Sequence, residues 1–283
     1  MKQFRIISLL SALLISTFSV SYAAADLYPW ITVRDSSACI AGRFSPPPGF
    51  RRVEVTSGSF GRWLRHLPLK PGSQKVYLHN GRPKLRQDVH AAVLDIDTGA
   101  RNLQQCADAV IRLRAEYLFA IKRYNDIRFN FTSGDTARYP RWRDGLRPEV
   151  EGDEVSWEMV ARPDSTYRGF RKYLDTVFTY AGSYSLKKEL ISVTSLSDMR
   201  IGDIFIQGGF PGHAVIVVDA AERSQTGEKV FLLAQSYMPA QDIHILINPS
   251  ESKLSPWYSI DFTGKLITPE WRFSRSDLMR FRD

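Results

Sequence analysis

The 283-residue chain is 43% hydrophobic, 12% aromatic and 24% charged, and its formal charge is +8. This is ample material for a substantial core, and the length suits one large domain. The positive excess is dispersed, with no long Lys/Arg run, no zinc-finger spacing and no RNP-like strand. Nucleic-acid binding is therefore not expected, although a mild positive charge suits an anionic surface or wall polymer.

In chain order, MKQFR gives a basic start, IISLLSALLISTFSV an apolar run, and Ser21, Ala23, Ala24 and Ala25 a small-residue cleavage region. Together they predict a signal peptide over residues 1–25. The run is short of the ~20 residues of a spanning helix, so an uncleaved anchor is the runner-up. No later segment is long and apolar enough to span. The mature chain is expected to be periplasmic or secreted, with no transmembrane segment. Residues 26–50 read as an N-terminal arm ending in the linker SPPPGF, and residues 51–283 as a single domain.

FRRVEVTSGSFGRWLRHLPLK predicts a strand, then a helix starting near Ser57 or Ser59 and ending at Leu67. KVYLHNGRPK runs into an Asn80-Gly81 turn, and DVHAAVLDID reads as a largely buried strand. NLQQCADAVIRLRAEYLFAIKRYN is the strongest helix, with Asn102 as N-cap, Gln105 three residues on, and Leu103, Cys106, Val110, Leu113, Tyr117, Ile121 and Tyr124 at helical spacing. IRFNF is a short strand. TSGDTARYPRWRDGLRPEVEGDE reads as a long polar loop, whose run Glu149, Glu151, Asp153, Glu154 lacks calcium-loop spacing. Helical material follows, then the strands DIFIQ, HAVIVVDAA, KVFLLAQSY and DIHILIN, and a tail of short helix or coil. Helices first and consecutive strands later predict an α+β fold, a meandering antiparallel sheet packed on a core helix.

Chemistry concentrates at Cys106 and His213. A helix N-terminus supplies N–H groups and a positive dipole end, both of which favour a thiolate. His213 opens a strand after Pro211-Gly212, which suits a base beside a cleft. The end of the next antiparallel strand lies beside that start, and alternation lets Gln235 or Ser236 face the imidazole, not both. Gln235 is the better orienting partner. The competing readings are a buried apolar cysteine or a Cys39–Cys106 disulfide for Cys106, and a backbone-bonded structural histidine for His213. Trp142, Arg143 and Trp157 either line a substrate groove or pin a surface loop. His90, Asp95 and Asp97 form a weak metal set: Asp97-Thr98-Gly99 is explained by turn chemistry, so no metal or cofactor is expected. His244 reads as an outward residue of an edge strand.

A cysteine on the first turn of a core helix, then GDIFI, GHAVIVVD and a polar residue on the following strand, resembles the papain-like NlpC/P60 and CHAP families. SFGRWLRHLPLK, RNLQQCADAVIRLRAEYL, FTSGD, PGHAVIVVD and LLAQSYMPAQDIHIL together resemble the secreted bacterial family DUF4846. Where NlpC/P60 enzymes usually carry Asp-Cys-Ser-Gly, this chain has Gln-Cys-Ala-Asp, and its Cys-to-His separation is long. The resemblance implies a papain-like core and a cysteine hydrolase of amide bonds, with Cys106 attacking, His213 moving the proton and Gln235 orienting it. Gln105 or Gln104, with the Cys106 backbone N–H, would serve the oxyanion. With the expected envelope location, a cell-wall peptide or other envelope component is the implied partner and a peptidoglycan amide the leading substrate. The alternatives are a non-catalytic envelope-binding module of the same fold and, third, a metal-dependent hydrolase.

Overall fold

The structure, a computed structural model, describes residues 27–31, 35 and 37–282. The signal peptide expected over residues 1–25 lies outside them. In chain order the elements are α1 (Ile40–Arg43), β1 (Arg51–Arg52), α2 (Phe60–Arg65), β2 (His90–Val93), α3 (Cys106–Ala120), β3 (Arg128–Asn130), β4 (Thr136–Arg138) and α4 (Tyr139–Arg143). There follow β5 (Leu146–Glu151), β6 (Glu154–Met159), α5 (Tyr167–Tyr180), α6 (Ser183–Glu189), β7 (Ile191–Ser192), β8 (Ile204–Gln207), β9 (His213–Glu222) and β10 (Lys229–Gln235). The last are β11 (His244–Leu246), β12 (Tyr258–Ser259), β13 (Leu266–Ile267), β14 (Arg272–Phe273) and β15 (Leu278–Arg280).

The main sheet runs β2-β11-β10-β9-β8-β15-β7, with β1 on β9 and β12 on β10, all antiparallel. The fold is thus α+β, a large antiparallel sheet with few helices. Its central strands are covered on both faces, which is why HAVIVVD reads as an unbroken apolar run. Along β9, Ala214, Ile216 and Val218 join the layer that contains α3, while Val215 and Val217 join a second layer with Phe205, Phe231 and Phe273. A register shift between Leu232 and Leu233 places Val218 as an extra residue. Asp219, fully buried beyond it, takes Arg65 Nε at 2.6 Å and Arg52 Nε at 2.8 Å.

Helix α3 is buried almost all round, as expected of a helix enclosed by its domain. It nevertheless carries Arg112, wholly buried, whose guanidinium donates to Glu116 Oε1 (2.8 Å), Gln104 Oε1 (2.7 Å), Asp97 Oδ1 (3.1 Å) and the Asp97 carbonyl (2.8 Å). The helix departs from expectation at both ends. Its N-cap is Gln105, not Asn102, because Asn102 Oδ1 is taken by the Ala240 N–H at 2.7 Å. It stops at Ala120, since Lys122 turns left-handed at φ 59°, and Tyr124 belongs to a separate short turn.

Three further segments differ from the sequence reading. The polar loop holds β4, α4 and the hairpin β5–β6, in which Val150, Val155 and Trp157 are half-buried while the acidic residues face water. Gly152, at φ 62°, makes its turn. The tail holds one short 3-10 turn, Arg275–Asp277, as expected, but it also supplies β14 and β15, the latter inside the main sheet. Residues ahead of the proline run pack into the body rather than forming a detached arm: Ile40 is wholly buried, and Tyr28 donates its hydroxyl to the Trp63 carbonyl at 2.8 Å.

Candidate active site

Cys106 is the first residue of α3 and is 8% exposed. No disulfide joins it to Cys39, which instead makes a backbone bridge with Pro68. The backbone N–H groups of Ala214, the residue after His213, and of Ala107 and Cys106 in the helix's own first turn act on the Cys106 thiol. These favour the anion, but burial outweighs them, and with the neighbouring Asp108 it pushes the thiol up to about 11. Asp108 is itself pushed up to about 8 by burial, with the Gln105 N–H on Oδ2 at 3.0 Å opposing the shift.

His213 opens β9 opposite Gln207 of β8 and is 1% exposed. The preceding turn is tight: a Cβ on Gly212 would lie 2.2 Å from Ser183 Oγ, so only glycine fits. Phe210, at the tip of this turn, is fully exposed. Gln235 closes β10, and its Oε1 lies 2.9 Å from His213 Nε2. The Gln235 amide nitrogen donates to Glu270 Oε2 at 2.8 Å and points its other N–H at His244 Nε2, 3.4 Å away. Glu270 Oε1 in turn receives Lys84 Nζ at 2.7 Å. An ionised carboxylate only accepts, so Glu270 fixes which way the amide faces. The amide oxygen must then accept from His213, whose Nε2 carries the proton and whose Nδ1 is left as a lone pair. His244 fits the same logic, donating Nδ1–H to the Asp242 carbonyl at 2.9 Å.

Tyr237, Trp271 and Phe273 wall the His213 ring at centroid distances of 5.0, 5.2 and 5.9 Å. Trp271 is tied down by its Nε1–H to Gln207 Oε1 at 3.0 Å. In this enclosure burial lowers the imidazole to about 4, against the Gln235 bond and with some help from Lys84. His244, wholly buried, drops to about 3 for the same leading reason. Thiol and imidazole are thus both neutral at pH 7.

The sheet sets their relation. Ser236, one residue beyond Gln235, turns the other way and donates to the carbonyls of Gln104 (3.0 Å) and Gln241 (2.8 Å), tying β10 to the segment just ahead of Cys106. Cys106 therefore meets the start of β9 from the α3 layer, while the His213 ring stands with the second layer. Among the described residues the two share no hydrogen bond. Tyr237 lies beside both, since its phenol is raised by burial, then by Glu270 and Cys106.

The remaining expected residues lie elsewhere. Gln105 directs its amide nitrogen to Asn102 Oδ1 at 3.5 Å. Trp142 is buried, donating to the Gly169 carbonyl at 3.2 Å; Arg143 reaches Asp144 and the Tyr124 ring; Trp157 lies on Phe131 beneath Arg141. None of these contacts involves Cys106, His213 or Gln235. His90 bonds the Gln74 carbonyl while Asp97 serves Arg112 and Arg171. His244 is not an outward edge residue but wholly buried between Gln235 and Val93. Among the described residues no three His, Cys, Asp or Glu side chains are grouped to hold a metal ion, and no helix is long and apolar enough to cross a membrane.

Lys84, Tyr237, Glu270 and Trp271 escaped the sequence reading. They come from irregular segments with no period, and only the adjacent Glu-Trp in TPEWRF hinted at a polar group held by an aromatic. Neither the curated proteins nor the solved structures contain a match to this chain. One family model does match, over residues 40–280, and it takes in α1, the whole main sheet and every residue of the site: the chain belongs to DUF4846, a domain of unknown function.

Proposed function

We propose that this protein is a cysteine hydrolase of amide bonds with a papain-like core. Cys106 is the nucleophile, His213 the proton carrier and Gln235 the residue that orients His213. The observation that carries the reading is the chain Lys84–Glu270–Gln235–His213, which holds the imidazole with Nδ1 unprotonated, one residue from the Ala214 N–H that favours the Cys106 thiolate. Turnover requires the thiol and His213 Nδ1 to move into contact around the start of β9; the imidazole then takes the thiol proton as sulfur attacks the carbonyl carbon. The imidazolium then returns the proton to the leaving amine, and water releases the acyl group from sulfur. N–H groups of the first turn of α3 face the oxyanion.

The leader-like N-terminus and the NlpC/P60 resemblance favour an envelope substrate, with a peptidoglycan stem-peptide amide as the first to try and a periplasmic or secreted location. Incubation of defined muropeptides with the wild type, Cys106→Ala and His213→Ala, followed by mass spectrometry, tests this. Cleavage by the wild type alone is expected; cleavage undiminished in Cys106→Ala would overturn it.

A second reading has its own observation. Because thiol and imidazole are neutral and share no hydrogen bond, the same fold suits a non-catalytic envelope-binding module. That reading predicts muropeptide binding without turnover, and iodoacetamide alkylation of Cys106 no faster than a free thiol at pH 6.

A further inference from the structure

A concavity of about 150 Å³ lies between the turn preceding α3 and one face of α5. It is room for roughly five water molecules at ~30 Å³ each. Arg168, Arg171, Lys172 and Asp175 occupy positions i, i+3, i+4 and i+7 of α5, one helical face, and Arg101 approaches from the turn. The acidic groups around it do not balance these cations. Asp175 reaches Arg101 only at 4.0 Å, Asp97 is shared between Arg171 (3.1 Å) and the buried Arg112 (3.1 Å), Glu116 is likewise shared between Arg112 (2.8 Å) and Arg171 (3.9 Å), and Asp164 acts on Lys172 from outside the wall.

Gln104, 1% exposed, completes the wall. Its Oε1 must face the Arg112 guanidinium, which only donates, so the amide cannot be turned round. Its Nε2 is left buried without a hydrogen-bond partner, and Nη1 of Arg171 makes no hydrogen bond and has Glu116 Oε1 only at ion-pair range, 3.9 Å. Buried donors without acceptors are costly, and each asks for a partner. Burial, and after it the neighbouring Arg112, lowers the Arg171 pKa against the opposing pull of Asp97 and Glu116.

We infer that this pocket binds a small oxyanion, a carboxylate or phosphate group, through the Gln104 amide N–H, Arg171 and the basic face of α5. The site is separate from the sulfur chemistry and stands whether or not the protein is a hydrolase.

Thermal unfolding and calorimetry of the full chain with phosphate, succinate or chloride at constant ionic strength test it. Saturable stabilisation by phosphate or by succinate, and none by chloride, is expected; whichever acts identifies the group. Gln104→Glu keeps the acceptor for Arg112 but replaces the amide donor with an anion, so it should abolish the effect. The exposed pair Arg168→Gln with Lys172→Gln should weaken binding about tenfold, as for loss of a charge-assisted hydrogen bond, and decides the matter if Gln104→Glu fails to fold. Cys106→Ala should bind as the wild type does. Equal stabilisation by all three salts, no stabilisation by any, or wild-type affinity in the double variant would overturn the inference.

Discussion

At Cys106 two influences oppose each other. The first turn of α3 and the Ala214 N–H favour a thiolate, while burial and Asp108 favour the thiol, and the second pair prevails. Asp108 is therefore a control point. With its pKa raised from 3.8 to about 8, the folded state keeps a proton that the unfolded state has lost between pH 4 and 8. Stability falls as pH rises through that window, and the full cost remains above it. Asp108→Asn should gain stability over the wild type at pH 8.5, with the difference closing towards pH 4. Its Cys106 should be alkylated faster at pH 8.5, with the advantage vanishing near pH 6, where Asp108 is already protonated. A second prediction concerns the imidazole. Glu270→Gln removes the acceptor-only partner that fixes the Gln235 amide, so nitrogen NMR of His213 should change from one Nε2–H tautomer to a mixture. The pairing of His213 with Gln235 was legible because antiparallel neighbours and period-two alternation dictate it. Lys84 and Glu270 were not, because nothing local in NGRPK or TPEWRF says which strand end they will cover.

The elements divide according to how their sequences signal burial. Ser59 and Thr166 cap α2 and α5 through side-chain oxygens that accept from Arg62 N and Gly169 N; the start of α2 was read from its Ser ahead of an apolar period, and Thr166 carries the same signal, unread, for α5. Helix α3 misled at its start because Asn102 looks like a cap, yet its carboxamide is spent on the β10–β11 connection. The hairpin β5–β6 misled because its period-two pattern is written in glutamates, and density of charge masked the alternation. The Arg112–Glu116 pair shows what α3 tolerates in exchange for position. Arg112→Met should destabilise by ~3–5 kcal/mol, since a buried carboxylate loses its counter-charge. Adding Glu116→Gln should recover much of that loss, as measured by urea unfolding. Stability unchanged in the single variant would mean that the pair is not closed in solution.

For the molecule as a whole, the main sheet gathers strands from chain positions far apart, and β15 is its most distant recruit. Leu278 and Met279 pair with β8, while Met279 and Arg280 pair with β7. Arg280 also clasps the buried Asp203 through Nε at 2.6 Å and Nη2 at 2.8 Å. Arg280→Ala should cost ~3 kcal/mol or more, because the Asp203 carboxylate stays buried with only the Arg200 N–H at 2.8 Å among its remaining described bonds. Calorimetry should show a lower melting temperature with the transition still cooperative. The meander β8–β11 was evident in four apolar runs with short links. The place of β15 was not, since three residues of strand carry no address, and only Asp203, some seventy positions earlier, holds the matching charge. The order of synthesis gives this a consequence. Strands β8 to β11 emerge from the ribosome with one flank of β8 still bare, and they wait for the final element of the domain before that flank is closed. Long-range pairings of this kind are slow to form, so the nascent domain stays open until its end is released. Such a sheet is poorly suited to insertions or truncations placed just beyond β14.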